Sequence, residues 1–168
     1  MLYTLIILKC CTYCLNLRLS FVTVGCMNDD IRVAVLIEKD GRFLLGQEAA
    51  KIIHGLWNWQ QGKVETGEDL KTAAIREVKE ETGFDVSLLR KLTVLKNPFP
   101  GTKATHVYLG EIIGGSQSFH KSEILDLQWF TYNQIIEIKD KLTGSWLIEV
   151  IQKGVEKKRK KKIVSRTP

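Results

Sequence analysis

The sequence has no cysteine after position 26. All four of its cysteines precede the stretch in which a core would form: Cys10, Cys11, Cys14 and Cys26. A protein held together by disulfides would distribute cysteines along the chain, so that class is excluded. Cys11 and Cys14 have the spacing of one zinc-ligand pair, but no second pair completes four ligands, which argues against a zinc site.

The chain also lacks an uninterrupted apolar run of membrane-spanning length. Residues 1–26 are rich in apolar residues, but Lys9, Asn16 and Arg18 interrupt them. No basic region precedes this run and no clear cleavage site follows it, so a secretory signal is a poor match, and Thr23–Cys26 resembles a lipoprotein acceptor site only faintly. We therefore interpret residues 1–26 as a leader outside the working domain and expect a cytoplasmic protein.

Excess positive charge is missing from most of the chain. The segment 153–168 carries eight Lys or Arg and one acid, so its net charge of +7 exceeds the +6 of the whole protein. The remainder is close to neutral, and we place a single globular domain at residues 27–152. The basic tail could bind RNA or an anionic lipid surface through phosphate contacts. Terminal runs of like charge are more often solvated, so we favour a disordered tail.

Alternating strand and helix patterns indicate an α/β domain. An apolar run at residues 31–37 is followed by Asp40-Gly41 and a second apolar run, which is a hairpin signal. An amphipathic segment from about Glu68 to Thr82 precedes Gly83, which is typical of a helix C-terminus. The later patterns predict strands at 86–95, 106–113 and 125–130, a turn-rich loop at 98–101, and helices at 132–138 and 143–152.

Three glutamates lie at helical spacing in this amphipathic segment. At about 100° per residue, Glu77, Glu80 and Glu81 project within about 100° of one another, and we expect Ala74, Ile75 and Val78 to form the opposite, core-facing stripe. Like charges at this spacing destabilise a helix by about 0.2–0.5 kcal/mol per pair, and acids near its C-terminus oppose its dipole. A bound cation would reverse that sign, and Mg²⁺ prefers carboxylates together with waters and phosphates.

An ordinary solvated face, neutralised by Arg76 and Lys79, is the alternative interpretation of these acids. The surrounding pattern favours a metal platform instead. A glycine-containing turn lies upstream, Thr66-x-x-Asp69 fits a capping box, and Arg76 can pair with Glu80 one turn later. Strand, turn and helix are therefore predicted to converge on one site.

Residues 62–84 resemble the signature of the Nudix hydrolase family. They match every fixed position of the Nudix box, Gly-x5-Glu-x7-Arg-Glu-U-x-Glu-Glu-x-Gly-U, with Val78 and Phe84 at the bulky hydrophobic positions. Fixed residues at fixed spacing make this a specific signal, and a looser resemblance covers residues 31 to about 150. The resemblance implies a Nudix-like α/β/α sandwich with a mixed β-sheet.

The resemblance also implies roles for individual residues. It implies Mg²⁺, or Mn²⁺, held by the carboxylates of Glu77, Glu80 and Glu81 and by the carbonyl of Gly62. Arg76 and Glu68 would pair with each other and orient the acids. The base that takes the proton of the attacking water would be a box glutamate or Glu123, which precedes the last predicted strand.

The substrate class implied is a nucleoside diphosphate linked to another moiety. MutT-type enzymes of the family act on (d)NTPs, while ADP-ribose, dinucleoside polyphosphates and capped RNA are alternatives. A non-catalytic Nudix ligand sensor or RNA-binding module is the alternative of another class, and the intact acids argue against it. Four residues are candidates for substrate contact: Lys63 for a phosphate, Trp57 and Phe99 for ring stacking, and Asn97 for a base edge.

One departure from the family pattern lies next to the box. Family members often carry Pro-Gly-Gly where this chain has Gln60-Gln61-Gly62. A side chain at position 61 restricts the backbone and adds bulk near the phosphates. We expect this departure to alter substrate approach without abolishing metal binding.

Overall fold

The computed structural model describes residues 30–96 and 101–154, which form a seven-stranded mixed sheet with helices on both faces. The predicted leader, the tail beyond residue 154 and positions 97–100 lie outside the described residues. Within them, no helix has the length and apolar character needed to cross a membrane. The elements are β1 (Asp30–Lys39), β2 (Arg42–Glu48), β3 (Trp57–Asn58), β4 (Gln60–Lys63), α1 (Leu70–Thr82), β5 (Phe84–Lys96), β6 (Thr102–Gly115), β7 (Ile124–Thr131), α2 (Tyr132–Glu137), a 3-10 helix (Lys139–Lys141) and α3 (residues 146–154).

The sheet is built around β1, which pairs in parallel with β6 and antiparallel with β2 and β4. The strand order is β3-β2-β1-β6-β5, with β4 paired to β1 and β7 paired to β2. Along one side of β1, β4 pairs with the first half of the strand, for example Gly62 with Val33. On the same side, β2 pairs with the last residues of β1. This division brings β2 and β4 to the same region of the sheet.

The predicted hairpin between β1 and β2 is confirmed. Asp40 and Gly41 form its two-residue turn, with φ of 51° and 75°, and Lys39 pairs with Arg42. Positive φ at both central residues is the requirement of a type I′ turn, whose twist matches that of the strands.

Both faces of the sheet are covered, as β1 shows most clearly. Its residues alternate between two cores, because successive strand side chains point to opposite faces. Val33, Val35 and Ile37 pack with α1, whereas Ala34 and Leu36 pack with the layer of α2 and α3. The predicted α/β/α sandwich with a mixed sheet is therefore confirmed.

Helix α1 begins and ends at capping residues. The Asp69 side chain accepts hydrogen bonds from the backbone N–H groups of Lys71 and Thr72, a cap that contributes about 1 kcal/mol. The predicted capping box at Thr66 was wrong, since Asp69 itself is the N-cap residue. Gly83 ends the helix in the left-handed region at φ 76°, as predicted.

The predicted orientation of α1 needs one correction. Its buried residues are Ala73, Ala74, Val78 and Thr82, while Ile75 is 41% exposed. On a helical wheel Glu77 and Glu81 fall beside Ala74 and Val78, and Ile75 points away. Two of the acids therefore lie on the sheet-facing side of the helix and not opposite its buried stripe.

Candidate active site

Gly62 and Glu77 lie in direct contact where β4 packs against α1. A Cβ atom at position 62 would lie 1.8 Å from the carboxyl carbon of Glu77 and within 2.0 Å of both carboxylate oxygens. Gly62 is not among the glycines with positive φ. A side chain at position 62 would therefore displace the Glu77 carboxylate, whereas the backbone conformation there does not call for glycine.

Arg76 is the hub of a hydrogen-bond network on the exposed side of this contact. Its guanidinium has five N–H donors, and five hydrogen bonds of 2.9–3.0 Å leave it: two to Glu68, one each to Glu77 and Glu80, and one to the carbonyl of Lys63. The bidentate bond to Glu68 and the bond to Glu77 raise the pKa of Arg76. The predicted pairing of Arg76 with Glu68 and with Glu80 is confirmed.

Glu81 is held against β4 by the backbone. Its carboxylate accepts a hydrogen bond of 3.1 Å from the N–H of Gln61. Burial raises the pKa of Glu81 well above its usual value, and the neighbouring Glu48 and Glu77 raise it further. Burial also raises the pKa of Glu77, although Arg76 opposes that shift. These carboxylates lie in a poorly solvated place where a cation would stabilise their ionised form.

Glu48, at the end of β2, is a site residue that the sequence analysis missed. Its carboxylate accepts a hydrogen bond of 2.7 Å from the Asn58 side chain, and burial is the largest cause that raises its pKa. Asn58 is itself buried, because β3 pairs with β2 at this point. A lone glutamate at a strand end carries no sequence signal of its own, so only strand pairing identifies Glu48.

These groups line a cleft of about 430 Å³. Five carboxylates and two basic side chains contribute to it, so its formal charge is negative. Its charged lining residues are Glu48, Glu77, Glu80, Glu81, Glu123, Arg32 and Lys63. Glu123 is exposed, and its backbone carbonyl accepts a hydrogen bond from Ala49, beside the end of β2. The structure thus brings Glu123 into the same cleft as the box acids.

The acids fit a divalent cation through their chemistry and their cradle. Carboxylates converge from α1 and β2. Gly62 has no side chain, which leaves the space that the Glu77 carboxylate occupies. Across residues 30–96 and 101–154, no three His, Cys, Asp or Glu side chains already stand as a ligand set. Arg76 holds one oxygen each of Glu77 and Glu80.

The substrate-contact candidates are placed differently from one another. Lys63 is exposed at the cleft, and its Nζ atom forms an ion pair of 2.8 Å with Asp30. Trp57 is buried in the core on the α2 and α3 side, edge-on to Phe130 at 4.9 Å. This position does not support ring stacking by Trp57. Asn97 and Phe99 lie outside the described residues.

The Gln61 side chain, expected to add bulk near the phosphates, is buried. Its amide oxygen accepts a hydrogen bond of 3.2 Å from the indole N–H of Trp59, while its own backbone N–H holds Glu81. The departure from Pro-Gly-Gly therefore ties β4 to the core and keeps the backbone donor that Glu81 uses.

A second, larger cleft of about 1020 Å³ adjoins the first. The two clefts share Glu80 and Glu123. The second extends past the end of α1 to the segment before β7, where Ser118, Phe119 and His120 line it.

Known proteins have sequences similar to this one. The family model described as NUDIX domain matches residues 27–153. An oxidized purine nucleoside triphosphate hydrolase of Danio rerio is 35% identical over 60% of this chain and 65% of its own length. An NAD-capped RNA hydrolase NudC of Vibrio atlanticus is 30% identical over 76% of this chain and 46% of its own length. The chain thus spans less than two thirds of each of these relatives.

Solved structures match the fold as well. A NUDIX hydrolase from Nitrosomonas europaea superposes with a TM-score of 0.68 at 22% identity, over 76% of this chain and 88% of that one. A MutT NUDIX hydrolase from Burkholderia pseudomallei gives 0.55 at 27% identity, over 62% and 84%. With the family model matched across most of the chain and the box glutamates gathered at one cleft, this protein belongs to the Nudix hydrolase family.

Proposed function

We propose that this protein is a Mg²⁺-dependent hydrolase that cleaves a diphosphate linkage in a nucleotide substrate. The observation that carries the proposal is the placement of Glu77 and Glu81, half-buried against Gly62 and the Gln61 N–H. Nudix hydrolases generally use a divalent metal. Here Glu77, Glu80, Glu81 and the Gly62 carbonyl would hold it, and Mn²⁺ is the natural substitute.

When bound, the metal would neutralise phosphate charge and lower the pKa of a water. The residues of this chain position the reaction. Arg76, with all five donors engaged, orients Glu77 and Glu80 and holds the backbone next to Gly62. A cation-binding carboxylate without such support would lose geometry, and outer partners of this kind typically matter by about 10–100-fold in metal affinity or activity.

The reaction is an in-line displacement at phosphorus. A water oxygen forms a bond to one phosphorus of the diphosphate, and the bond from that phosphorus to the bridging oxygen breaks. The electron pair leaves with the departing phosphate. We assign the proton of the attacking water to Glu123, which is exposed at the cleft, with a box glutamate as the alternative acceptor.

We favour a nucleoside triphosphate as substrate. The supporting observation is the sequence similarity to the Danio rerio protein named for oxidized purine nucleoside triphosphates. The Vibrio atlanticus relative, named for NAD-capped RNA, favours capped RNA as a second candidate. ADP-ribose and dinucleoside polyphosphates complete the panel. A cytoplasmic location and RNA binding by the basic tail stay predictions of the sequence.

A substrate panel with metal control tests this proposal. Release of phosphate or pyrophosphate would be measured from dGTP, 8-oxo-dGTP, ADP-ribose, a dinucleoside tetraphosphate and NAD-capped RNA, with Mg²⁺, Mn²⁺ or EDTA. We expect metal-dependent turnover of a triphosphate, lowered by roughly 100-fold or more in Glu81→Gln. Glu111→Gln, at an exposed glutamate of β6, is the matched control and should keep the full rate.

Two results would contradict the proposal. Wild-type protein that releases nothing from any panel member with either metal would remove the hydrolase assignment. That outcome, combined with specific binding of one nucleotide or RNA, would instead favour a sensor or RNA-binding module. A Glu81→Gln variant with the wild-type rate would show that the box glutamates do not form the reaction centre.

A further inference from the structure

Arg32 is a basic side chain at the cleft that forms no side-chain hydrogen bond with the residues the structure describes. It lies on β1 and lines the cleft together with Gly62, Glu77 and Glu81. Its Nε atom is buried and has no hydrogen-bond partner among the described residues. Since buried donors are nearly always satisfied, an unsatisfied one at a cleft is available to a group that enters it.

The other two basic side chains near the site are already occupied. All five donors of Arg76 bond to the protein, to Glu68, Glu77, Glu80 and the Lys63 carbonyl. Lys63 is paired with Asp30. Arg32, in contrast, attracts the carboxylates of the cleft from a distance without forming an ion pair with any described residue.

The backbone of Arg32 is rigidly placed. It lies in the central strand, paired on one side with Lys63 of β4 and on the other with Thr105 of β6. The strand therefore fixes the position from which the guanidinium, a planar fork suited to an anion, lines the cleft. The cleft is otherwise lined mainly by acids, which repel an anionic substrate.

We propose that Arg32 binds a phosphate group of the substrate through a bidentate contact of its guanidinium. The ligand is a diphosphate-containing nucleotide, and the contact is made with its phosphate and not with its base. This inference rests on the proposed function, since it needs a diphosphate in the cleft. Arg32, and not Lys63, is then the main side chain that contacts phosphate.

The test compares Arg32→Lys and Arg32→Gln with Arg42→Lys. Arg42 is an exposed arginine at the start of the neighbouring strand β2, and it does not line the cleft. Binding of inorganic pyrophosphate, which has no nucleoside, would be measured by calorimetry with Mg²⁺ present. KM and kcat would be measured for the best substrate of the panel, and thermal unfolding for each variant.

We expect Arg32→Gln to weaken pyrophosphate binding by about tenfold or more and to raise KM, with a smaller effect on kcat. Arg32→Lys should recover only part of this loss, because an ammonium keeps the charge and lacks the planar fork. Arg42→Lys should match wild type. The unfolding temperature of Arg32→Gln should change little, since the Arg32 side chain has no hydrogen bond to a described residue and attracts the cleft carboxylates without contacting them.

The proposal would be overturned if Arg32→Gln kept the wild-type affinity for pyrophosphate and the wild-type KM in an active enzyme. It would equally be overturned if the variant lost binding only in proportion to a lower unfolding temperature, which would indicate a structural role. Failure of the proposed function looks different, because wild type would then show neither hydrolysis nor metal-dependent pyrophosphate binding.

Discussion

Replacing Gly62 with alanine should place a methyl group where the Glu77 carboxylate now lies. The added Cβ would stand 1.8 Å from the carboxyl carbon and 1.9 Å from Oε2, which is far inside van der Waals contact. Because φ of Gly62 is not positive, alanine meets no backbone strain there. The methyl group therefore acts by displacing the Glu77 carboxylate.

The clashing atoms are the end of a flexible side chain, so the carboxylate can move aside. Displacing it breaks its 2.9 Å hydrogen bond from Arg76, which costs about 1 kcal/mol. For a domain of this size, each kcal/mol lowers the unfolding temperature by about 2–4 °C. Misplacing one reacting group by about 1 Å can lower the rate by about 100-fold. We expect Gly62→Ala to show both losses, in thermal unfolding and in kcat/KM.

A double-mutant cycle isolates the contact. In a Glu77→Ala background the carboxylate is gone, so Gly62→Ala should change the free energy of unfolding by no more than about 0.5 kcal/mol. Gly154→Ala is the control, since its Cβ would meet only Leu36 at an ordinary 3.9 Å. An equal cost of Gly62→Ala in both backgrounds would contradict a direct clash between position 62 and the Glu77 carboxylate.

The remaining predictions concern the network, the buried acid and one histidine. Arg76→Lys, with three donors in place of five, should lower both kcat/KM and the unfolding temperature, and full activity in this variant would contradict the hub role. Glu48→Gln keeps an acceptor for Asn58 and removes a charge that burial disfavours, so calorimetry of the metal-free protein at pH 7 should show a higher unfolding temperature. Burial, and then Lys91, lower the pKa of His106 below 6.5. The unfolded chain therefore binds more protons just below pH 6.5, and His106 should cost stability as pH falls through that value. NMR titration should show its pKa rising in Lys91→Met, and an unchanged value would contradict the assignment.

Much of the fold followed from local patterns. The apolar run of β1, the Asp40-Gly41 turn and the Gly83 stop were each confirmed, because each depends on residues that are neighbours in sequence. The capping residue of α1 was misassigned to Thr66, since Asp69 also satisfies the capping chemistry three residues later. Ile75 was misplaced for a related reason, because apolar character alone did not show which side of α1 faces the sheet.

The box, its spacing and the family can be read from the linear chain, since the acids and their arginine lie within one helix and the turn before it. Which other groups join them depends on how the strands pair. Glu48 and Arg32 line the cleft because strands distant in sequence pair with each other. Trp57 lies in the core on the opposite face of the sheet. Helical spacing is set by neighbouring residues, whereas strand pairing and the face a side chain occupies depend on long-range packing.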